Sequence, residues 1–360
     1  MSADAPADGS ADGGSRPSKT NRAGPREAST RVNPGALSLP LTKLDGVSLR
    51  SETTAVYSGG VDAVSWREAT KRWRDYIRES RETAAVFENP YGERVAGSDP
   101  NRFAPGYADK QYAKLKDLER GLREEYGKRL HTAMLTLTAS STDAEGEPRP
   151  PVDHLHDLDA SWESVRRELH RTLEGRRWEY LAILEPHRSG YLHIHVAVFV
   201  EGVVVPETFR PVVEAHVRNC DGAEAAAHDL EAEDVSARPV SVKHVGADRA
   251  EDEIGNLGTY LAEYLHTYDG DPLDGPDHQQ AANAVLWSTG KQRWRPSQGA
   301  QSYMAQNRSE EPSDWEIVAF RDSDGELHEI SGDCGGVNKL TTCSDIRDHD
   351  PPPDDTRDKD

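Results

Sequence analysis

The feature that most constrains the fold is an apolar run from Tyr191 to Val200, which carries two histidines near its start. Its many β-branched and aromatic residues predict a buried strand. Side chains alternate between the two faces of a strand, so His193 and His195 share one face and the aliphatic residues between and after them line the other. Paired imidazoles on a rigid strand favour a divalent metal site. Taken alone, the pair also fits two hydrogen-bonded histidines or a structural metal.

The segment before this strand offers a third ligand. Residues 178–185 predict a partner strand, and the next five residues are expected to form the connecting turn. In that register Glu185 pairs with Tyr191 and is a diagonal cross-strand neighbour of His193. Two imidazoles and one carboxylate leave coordination positions open, which suits Mg²⁺ or Mn²⁺ acting as a Lewis acid on a phosphate. A four-residue turn would move Glu185 to the wrong face, and its alternative role is an ion pair with Arg188.

Hydrophobic periodicity places this hairpin in an α+β domain. Two helices are expected first, over residues 65–81 and 109–127. The order that follows is strand, helix, strand, strand, helix, strand and helix, over residues 130–139, 162–173, 178–185, 191–200, 206–219, 235–245 and 254–268. Six of these elements follow the β-α-β-β-α-β order of a ferredoxin-like, split βαβ fold with an antiparallel central sheet.

Composition divides the rest of the chain. The expected segments are a disordered N-terminal tail over 1–45, a helical segment over 46–128, the sheet domain over 129–270, a C-terminal extension over 271–341 and a disordered acidic tail over 342–360. The formal net charge is −21, and only 11 of the 43 basic residues are lysine. Acidic charge alone argues against a nucleic-acid partner. A lysine-poor, acid-rich composition, however, is typical of proteins from organisms that keep molar salt in the cell, and it then says little about the ligand.

The three cysteines and the N-terminal sequence indicate a cellular location. Sparse cysteines and the lack of a hydrophobic leader favour a reducing, cytoplasmic setting. No apolar stretch approaches the roughly 18 residues needed for a membrane span, so no membrane association is expected.

Two tyrosines on the last expected helix are candidate nucleophiles. Tyr260 and Tyr264 lie one turn apart, so both phenols project from the same face. A phenol has an ordinary pKa of about 10 and needs a nearby cation to attack a phosphate. Tyr268 continues the stripe, and a tyrosine stripe of this kind also fits an ordinary amphipathic core face.

Together these motifs resemble the HUH endonucleases, in particular the rolling-circle replication initiators of small plasmids and single-stranded DNA phages. Met134–Thr138 is similar to their first motif, His193–His195 to their second and Tyr260–Tyr264 to their third, so the resemblance covers residues 130–270. With the lysine-poor acidity, the chain resembles initiators from plasmids or viruses of halophilic archaea. Glu185 occupies a position where a carboxylate completes the metal site in some family members.

The resemblance implies a specific activity. The protein would nick one strand at a replication origin, remain joined to the 5′ end through phosphotyrosine and later rejoin the displaced strand. Tyr264 is expected to initiate and Tyr260 to terminate. The expected ligand is single-stranded or hairpin origin DNA. The sequence has no GxxxxGK[ST] motif, so a host helicase is expected to unwind the DNA and a host polymerase to extend it.

Two departures from the family's motifs, and one further segment, leave alternative functions open. Family members often carry lysines where this chain has Glu263 and Thr267, which favours a DNA-binding regulator on a nuclease scaffold as one alternative. A transposase with the same chemistry is another, and a metallohydrolase acting on small molecules is a third. Basic and aromatic residues alternate after the tyrosine helix and could contact DNA or form an ordinary strand: Lys291, Arg293, Trp294 and Arg295.

Overall fold

The computed structural model describes residues 32–57, 60–98, 101–103, 105–244, 271–305, 315–322 and 324–330. Its strands are β1 Thr54–Tyr57, β2 Gly60–Ala63, β3 Ala84–Glu88, β4 Arg94–Ser98, β5 Leu130–Leu137, β6 Trp178–Pro186, β7 Leu192–Glu201, β8 Val240–His244, β9 Trp294–Pro296, β10 Glu316–Arg321 and β11 Leu327–Glu329. Its α-helices are α1 Trp66–Glu82, α2 Pro105–Tyr126, α3 Pro151–Thr172, α4 Arg210–Asn219, α5 Asp277–Thr289 and α6 Gln298–Ala305. No helix in these ranges is both long and apolar enough to cross a bilayer.

The central sheet has five antiparallel strands in the order β8-β5-β7-β6-β9. The chain enters it as β5-α3-β6-β7-α4-β8, so the predicted α+β class and the predicted order of these six elements match the structure. Strand β7 lies at the centre because it is apolar on both faces. The side chains of Ile194, Val196 and Val198 pack with α3 and α4 on one face. Ala197 and Phe199 pack with α2 and α6 on the other.

Several predicted boundaries in the N-terminal half are wrong. The predicted tail over 1–45 extends too far, because Ala36 and Leu41 are fully buried and the Val152 amide donates to the Leu41 carbonyl. The segment over 46–128 is not only helical, since it contains β1 to β4. These strands have four or five residues each, too few to show a clear alternating pattern. Helix α3 begins at Pro151, well before Trp162, because polar residues in its first turns mask the apolar stripe.

The predicted C-terminal extension is not a separate unit. It contributes β9 to the edge of the central sheet and β10 and β11 to a second sheet of order β11-β10-β3-β4. Helix α5 packs against α1, where the Trp66 indole donates a 2.8 Å hydrogen bond to the Ala281 carbonyl. Strand β8 is shorter than predicted, because a 3₁₀ turn occupies Val235–Ala237. These pairings join residues far apart in sequence, so local patterns could not predict them.

Candidate metal centre

The β6–β7 hairpin brings the three predicted metal ligands together. Glu185 lies directly opposite His193, not diagonal to it as predicted, because β6 extends to Pro186 and β7 starts at Leu192. The turn therefore comprises residues 187–191, closed by a 2.8 Å hydrogen bond from the His187 amide to the Tyr191 carbonyl. The register differs from the predicted one by two residues, an even number, so Glu185 remains on the predicted face.

Three ligand atoms converge at the end of this hairpin. Oε2 of Glu185 lies 2.6 Å from Nε2 of His195 and 3.3 Å from Nε2 of His193. The two Nε2 atoms are 2.9 Å apart. The side chains are 9–14% exposed, so the cluster is mostly shielded but reaches the surface. On the same face of the sheet, Ala197 and Phe199 are covered by α2 and α6, and the cluster lies beyond them.

The electrostatics of the cluster favour a cation. Burial raises the pKa of Glu185, but hydrogen bonds with His193 and His195 outweigh burial and lower this pKa to about 2. Burial lowers the pKa of His193, which opposes protonation of its imidazole. The buried carboxylate and the two imidazole nitrogens, which are 2.9 Å apart, thus direct three potential ligand atoms at one point.

The spacing of these atoms fits an octahedral divalent ion. Mg²⁺ holds oxygen and nitrogen ligands at about 2.0–2.1 Å, so adjacent ligands in an octahedron are about 2.8–3.0 Å apart. The three separations, 2.6, 2.9 and 3.3 Å, bracket that value. Two histidines and one carboxylate on one face of an octahedron also leave three positions for substrate oxygens or water. The residues present therefore fit a metal of the predicted kind.

Thr136 on β5 is a contact of this cluster that sequence reasoning did not assign. The register places it opposite His195, and its hydroxyl lies 3.1 Å from Nδ1 of that histidine. A hydroxyl that accepts from the Nδ1–H holds the tautomer whose Nε2 lone pair points toward the cluster. Thr136 belongs to the Thr-rich strand that resembles the first HUH motif. Its alternation with apolar residues could have indicated that it shares a face with the partner strand's histidines.

The two candidate nucleophiles lie outside the described residues. Tyr260 and Tyr264, with the helix predicted over 254–268, fall in the range 245–270 that the structure does not describe. Their placement relative to the cluster, and their roles, remain predictions.

The predicted DNA-contact segment is involved in internal contacts. Trp294 is 8% exposed and packs with α2, so its ring cannot stack on an unpaired base in this conformation. Lys291 and Arg295 both pair with Asp159 of α3, at 2.6 and 2.7 Å, and Arg293 donates to Asn283. The ordinary-strand interpretation is therefore correct for Trp294, which lies in β9. DNA contacts by the three basic residues remain a prediction.

Comparisons with known proteins place the chain in a family. It is 47% identical over 294 residues to an "Uncharacterized 36 kDa protein" of Halobacterium salinarum, covering 81% of this chain and 93% of the relative. A second "Uncharacterized 36 kDa protein", from Halobacterium sp. (strain GN101), is 46% identical over 286 residues, with 76% and 87% covered.

Among solved structures, the chain aligns with the "non-structural protein 1 N-terminal origin-recognition/nickase domain from the emerging human bocavirus" at 13% identity, covering 71% of this chain and 73% of that one. The TM-score of 0.14 is too low to indicate a common fold. A family model described as "Putative rep protein (DUF1424)" matches residues 41–338. The chain therefore belongs to the family described as "Putative rep protein (DUF1424)".

Proposed function

We propose that this protein is a metal-dependent DNA nicking and joining enzyme that initiates rolling-circle replication. The observation that carries the proposal is the convergence of Glu185, His193 and His195 within 3.3 Å of one another on adjacent strands of an antiparallel sheet. The β-α-β-β-α-β order of the central sheet, typical of the ferredoxin-like fold, supports an HUH endonuclease core. The family description gives independent support for a replication protein.

The proposed chemistry divides between the cluster and the tyrosine helix. Glu185, His193 and His195 would hold Mg²⁺ or Mn²⁺, which supplies Lewis-acid polarisation of the scissile phosphate. The phenol oxygen of Tyr264 attacks phosphorus, so a Tyr–O–P bond forms while the P–O3′ bond breaks. The phenol loses its proton and the departing 3′ oxygen gains one, so the net products are a 5′-phosphotyrosine and a 3′-hydroxyl. Tyr260 would perform the second transfer, which releases the rejoined strand.

The partners follow from this chemistry. The substrate would be an unpaired strand or hairpin at the origin, since the attacking phenol must reach a single phosphodiester. Unwinding and extension would depend on a host helicase and polymerase. The reaction needs no membrane, and the sparse cysteines agree with a cytoplasmic location.

A covalent-adduct assay tests the proposal. A labelled single-stranded oligonucleotide from the replicon's own origin is incubated with Mn²⁺ in high KCl and analysed on a denaturing gel. We expect an adduct that is lost in the Tyr260→Phe/Tyr264→Phe double variant and when Mn²⁺ is chelated. Loss with Tyr264→Phe alone would identify the initiating residue. Folded, metal-bound protein that gives neither nick nor adduct would contradict the proposal and favour the DNA-binding regulator.

The same assay separates a second alternative. A metallohydrolase acting on small molecules would keep its metal but would give no protein-DNA adduct, and both tyrosine substitutions would leave its activity unchanged. A transposase would give the same adduct as an initiator, so the sequence flanking the gene on its replicon distinguishes those two.

A further inference from the structure

Helix α1 carries a face of basic residues that the proposed chemistry does not use. An α-helix has 3.6 residues per turn, so positions separated by three or four residues lie on one face. Five cations of α1 follow that spacing, within an arc of about 80° and over about 21 Å of the helix: Arg67, Lys71, Arg74, Arg78 and Arg81. No acidic residue of α1 falls within this arc. These five residues form the basic stripe.

The acidic residues of the same helix are segregated from the basic stripe. They project over a neighbouring arc of the helix: Glu68, Asp75, Glu79 and Glu82. The chain as a whole has 64 acidic and 43 basic residues, so most of its surface is expected to be acidic. A face that gathers cations on such a protein is complementary to a polyanion.

Two cations of the stripe are available to a partner. Arg67 and Lys71 are exposed and form no ion pair with any residue that the structure describes. On the other helices, by contrast, exposed arginines pair with an acid three or four residues away in the same helix: Arg120, Arg166, Arg171 and Arg218. The stripe therefore presents positive charge that its own helix does not neutralise.

The other three cations of the stripe have acidic partners near the surface. The partners of Arg74, Arg78 and Arg81 have side chains that are 31–83% exposed, in this order: Asp277, Asp75 and Asp271. Exposed ion pairs contribute little free energy, because water solvates both charges. These arginines can therefore exchange a carboxylate for another anion at small cost.

The stripe starts at the end of the domain that carries the metal cluster. Trp66, the first residue of α1, packs against the β6–β7 turn: its ring centroid lies 5.1 Å from that of Tyr191, and its ring would be 3.1 Å from a Cβ atom at Gly190. The two strands of this hairpin supply all three residues of the metal cluster. Arg67 follows Trp66 directly, so DNA that leaves the cluster on this side meets the stripe.

The chemistry of the stripe suits the phosphate backbone of a duplex. Four of its five cations are arginine, whose planar guanidinium donates two parallel hydrogen bonds to a phosphate in addition to its charge. The aromatic residues of α1 lie off the stripe, since Trp66 and Trp73 are buried and Tyr76 projects from the opposite side. Proteins that bind single strands commonly stack bases on exposed aromatic rings. The stripe offers phosphate contacts without such rings.

We propose that the basic stripe of α1 binds the phosphate backbone of the duplex DNA that flanks the nicked strand. The choice of DNA as the partner rests on the proposed function, because an acidic protein surface would satisfy the same charges. Phosphate contacts carry no base information, so the stripe would hold the flanking duplex in place without selecting its sequence.

Fluorescence anisotropy of the full chain in EDTA tests the stripe in the absence of nicking. The ligand is a labelled duplex of scrambled sequence, titrated over the range of KCl concentrations in which circular dichroism shows the parent to be folded. Arg67→Gln/Lys71→Gln removes two exposed cations. Each phosphate contact contributes about 0.9 to the slope of log affinity against log salt, so we expect a slope less steep by about 1.8 and an affinity lower by about tenfold at the lowest salt.

The matched control removes two cations at the opposite end of the central sheet. Lys128 precedes the start of β5, Arg171 lies in the last turn of α3, and both are exposed. Lys128→Gln/Arg171→Gln should keep the slope and the affinity of the parent. Equal losses in the two double variants would reduce the effect to overall charge. Unchanged DNA binding in both would leave an acidic protein as the partner. Either result would overturn the inference.

A single strand of the same length separates duplex from unpaired DNA. Because the stripe has no exposed aromatic ring, we expect Arg67→Gln/Lys71→Gln to change the affinity for the single strand by less than about twofold. An equal loss of affinity for the single strand and the duplex would contradict the assignment to duplex DNA.

The outcomes separate this inference from the proposed function. A less steep salt dependence in Arg67→Gln/Lys71→Gln, in a protein that forms no covalent adduct, would support the DNA-binding stripe and contradict the nickase. Adduct formation by a protein whose duplex binding is the same in the parent and in this variant would support the nickase and contradict the stripe.

Discussion

At the residue scale, the convergence of Glu185 with two imidazoles is the most consequential feature of the structure. The carboxylate is buried, yet its pKa is lowered to about 2, because hydrogen bonds with His193 and His195 outweigh the effect of burial. A carboxylate with so low a pKa stays ionised throughout the physiological range and is ready to bind a cation. The anion is held close to Nε2 of both histidines, which is the arrangement that a metal-binding cluster requires.

Removing the charge of Glu185 should weaken metal binding. Glu185→Gln keeps the size of the side chain but loses the anionic ligand, so we expect Mn²⁺ affinity to fall by about 100-fold or more in isothermal titration calorimetry. Glu168→Gln, on α3, where a half-buried carboxylate pairs with Arg171, is the matched control and should bind like the parent. Unchanged affinity in Glu185→Gln would exclude Glu185 as a ligand.

Thr136 should act through His195 rather than on the metal itself. Its hydroxyl lies 3.1 Å from Nδ1, and partners of ligating histidines typically contribute about 10–100-fold in metal affinity. We expect Thr136→Val, which keeps the shape, to lower Mn²⁺ affinity by that factor, and Thr136→Ser to restore most of it. Equal affinity of the valine and serine variants would show that the hydroxyl does not position the imidazole.

At the scale of elements, strand β9 is attached to α3 by charge as well as by sheet hydrogen bonds. Asp159 on α3 pairs with Lys291 at 2.6 Å and with Arg295 at 2.7 Å, and its side chain is only 15% exposed. Burial raises the pKa of Asp159, but the two cations outweigh burial and lower it. Residues that looked like a DNA-contact motif therefore hold an edge strand against the core of the domain.

Neutralising this attachment should destabilise the fold. Asp159→Asn leaves two cations next to a neutral amide, and we expect the free energy of unfolding in urea to fall by about 1–3 kcal/mol. The control is Asp75→Asn, whose carboxylate forms an exposed pair with Arg78 and should change stability by less than about 0.5 kcal/mol. A similar loss in both variants would contradict a specific role for the α3–β9 pairing.

The element scale also shows which secondary structure local pattern could predict. The strands 130–137, 178–186 and 192–201 agree with prediction to within two residues, because each carries a long run of β-forming side chains. Strands β3 and β4 were missed because Ala84–Glu88 and Arg94–Ser98 are short and bury little on their own. In the sheet β3 pairs with β10, more than 200 residues along the chain, and β4 pairs with β3.

At the scale of the whole molecule, the acidic composition agrees with the organisms from which the relatives come. The charge of −21 and the scarcity of lysine indicated a salt-rich cell, and two relatives come from Halobacterium. Counterion release contributes less to DNA binding as salt rises, so an initiator in such a cell depends more on stacking, hydrogen bonding and covalent attachment.

Buried neutral histidines should make the whole fold sensitive to acid. Burial lowers the pKa of His154 and of His216 to about 4, whereas an unfolded histidine titrates near 6.5. Between those values the unfolded chain binds protons that the folded chain does not, so stability falls as pH is lowered from about 6.5 to about 4. The loss approaches about 3 kcal/mol for each group at the lower end.

Urea unfolding at pH 7.5 and 5.0 checks this prediction. His216→Gln removes one of these proton-linked groups, so its stability should fall less between the two pH values than that of the parent. His170→Gln, at an exposed position on α3, should show the parent's pH dependence. The linkage would be contradicted if His216→Gln lost as much stability on acidification as the parent.

The sequence by itself determined the class of fold, the central strand and the set of candidate metal ligands. Alternation along residues 192–199 places His193 and His195 on one face whatever the surroundings, because the side-chain period of a strand is two. An even shift in register left Glu185 on that face, although the predicted pairing was wrong. The sequence was sufficient to predict this face because the strands of the hairpin are joined by a short turn and pair with residues close in sequence.

Only the tertiary structure decided what lies around these ligands. Thr136, about 60 residues before the histidines, becomes a contact of His195 through the pairing of β5 with β7. Trp294 is buried rather than exposed because β9 joins the edge of the sheet, where it pairs with β6. Each of these contacts depends on residues that are distant in sequence. Long-range pairing and burial depend on the free energy of the whole packed core, and no local sequence pattern specifies them.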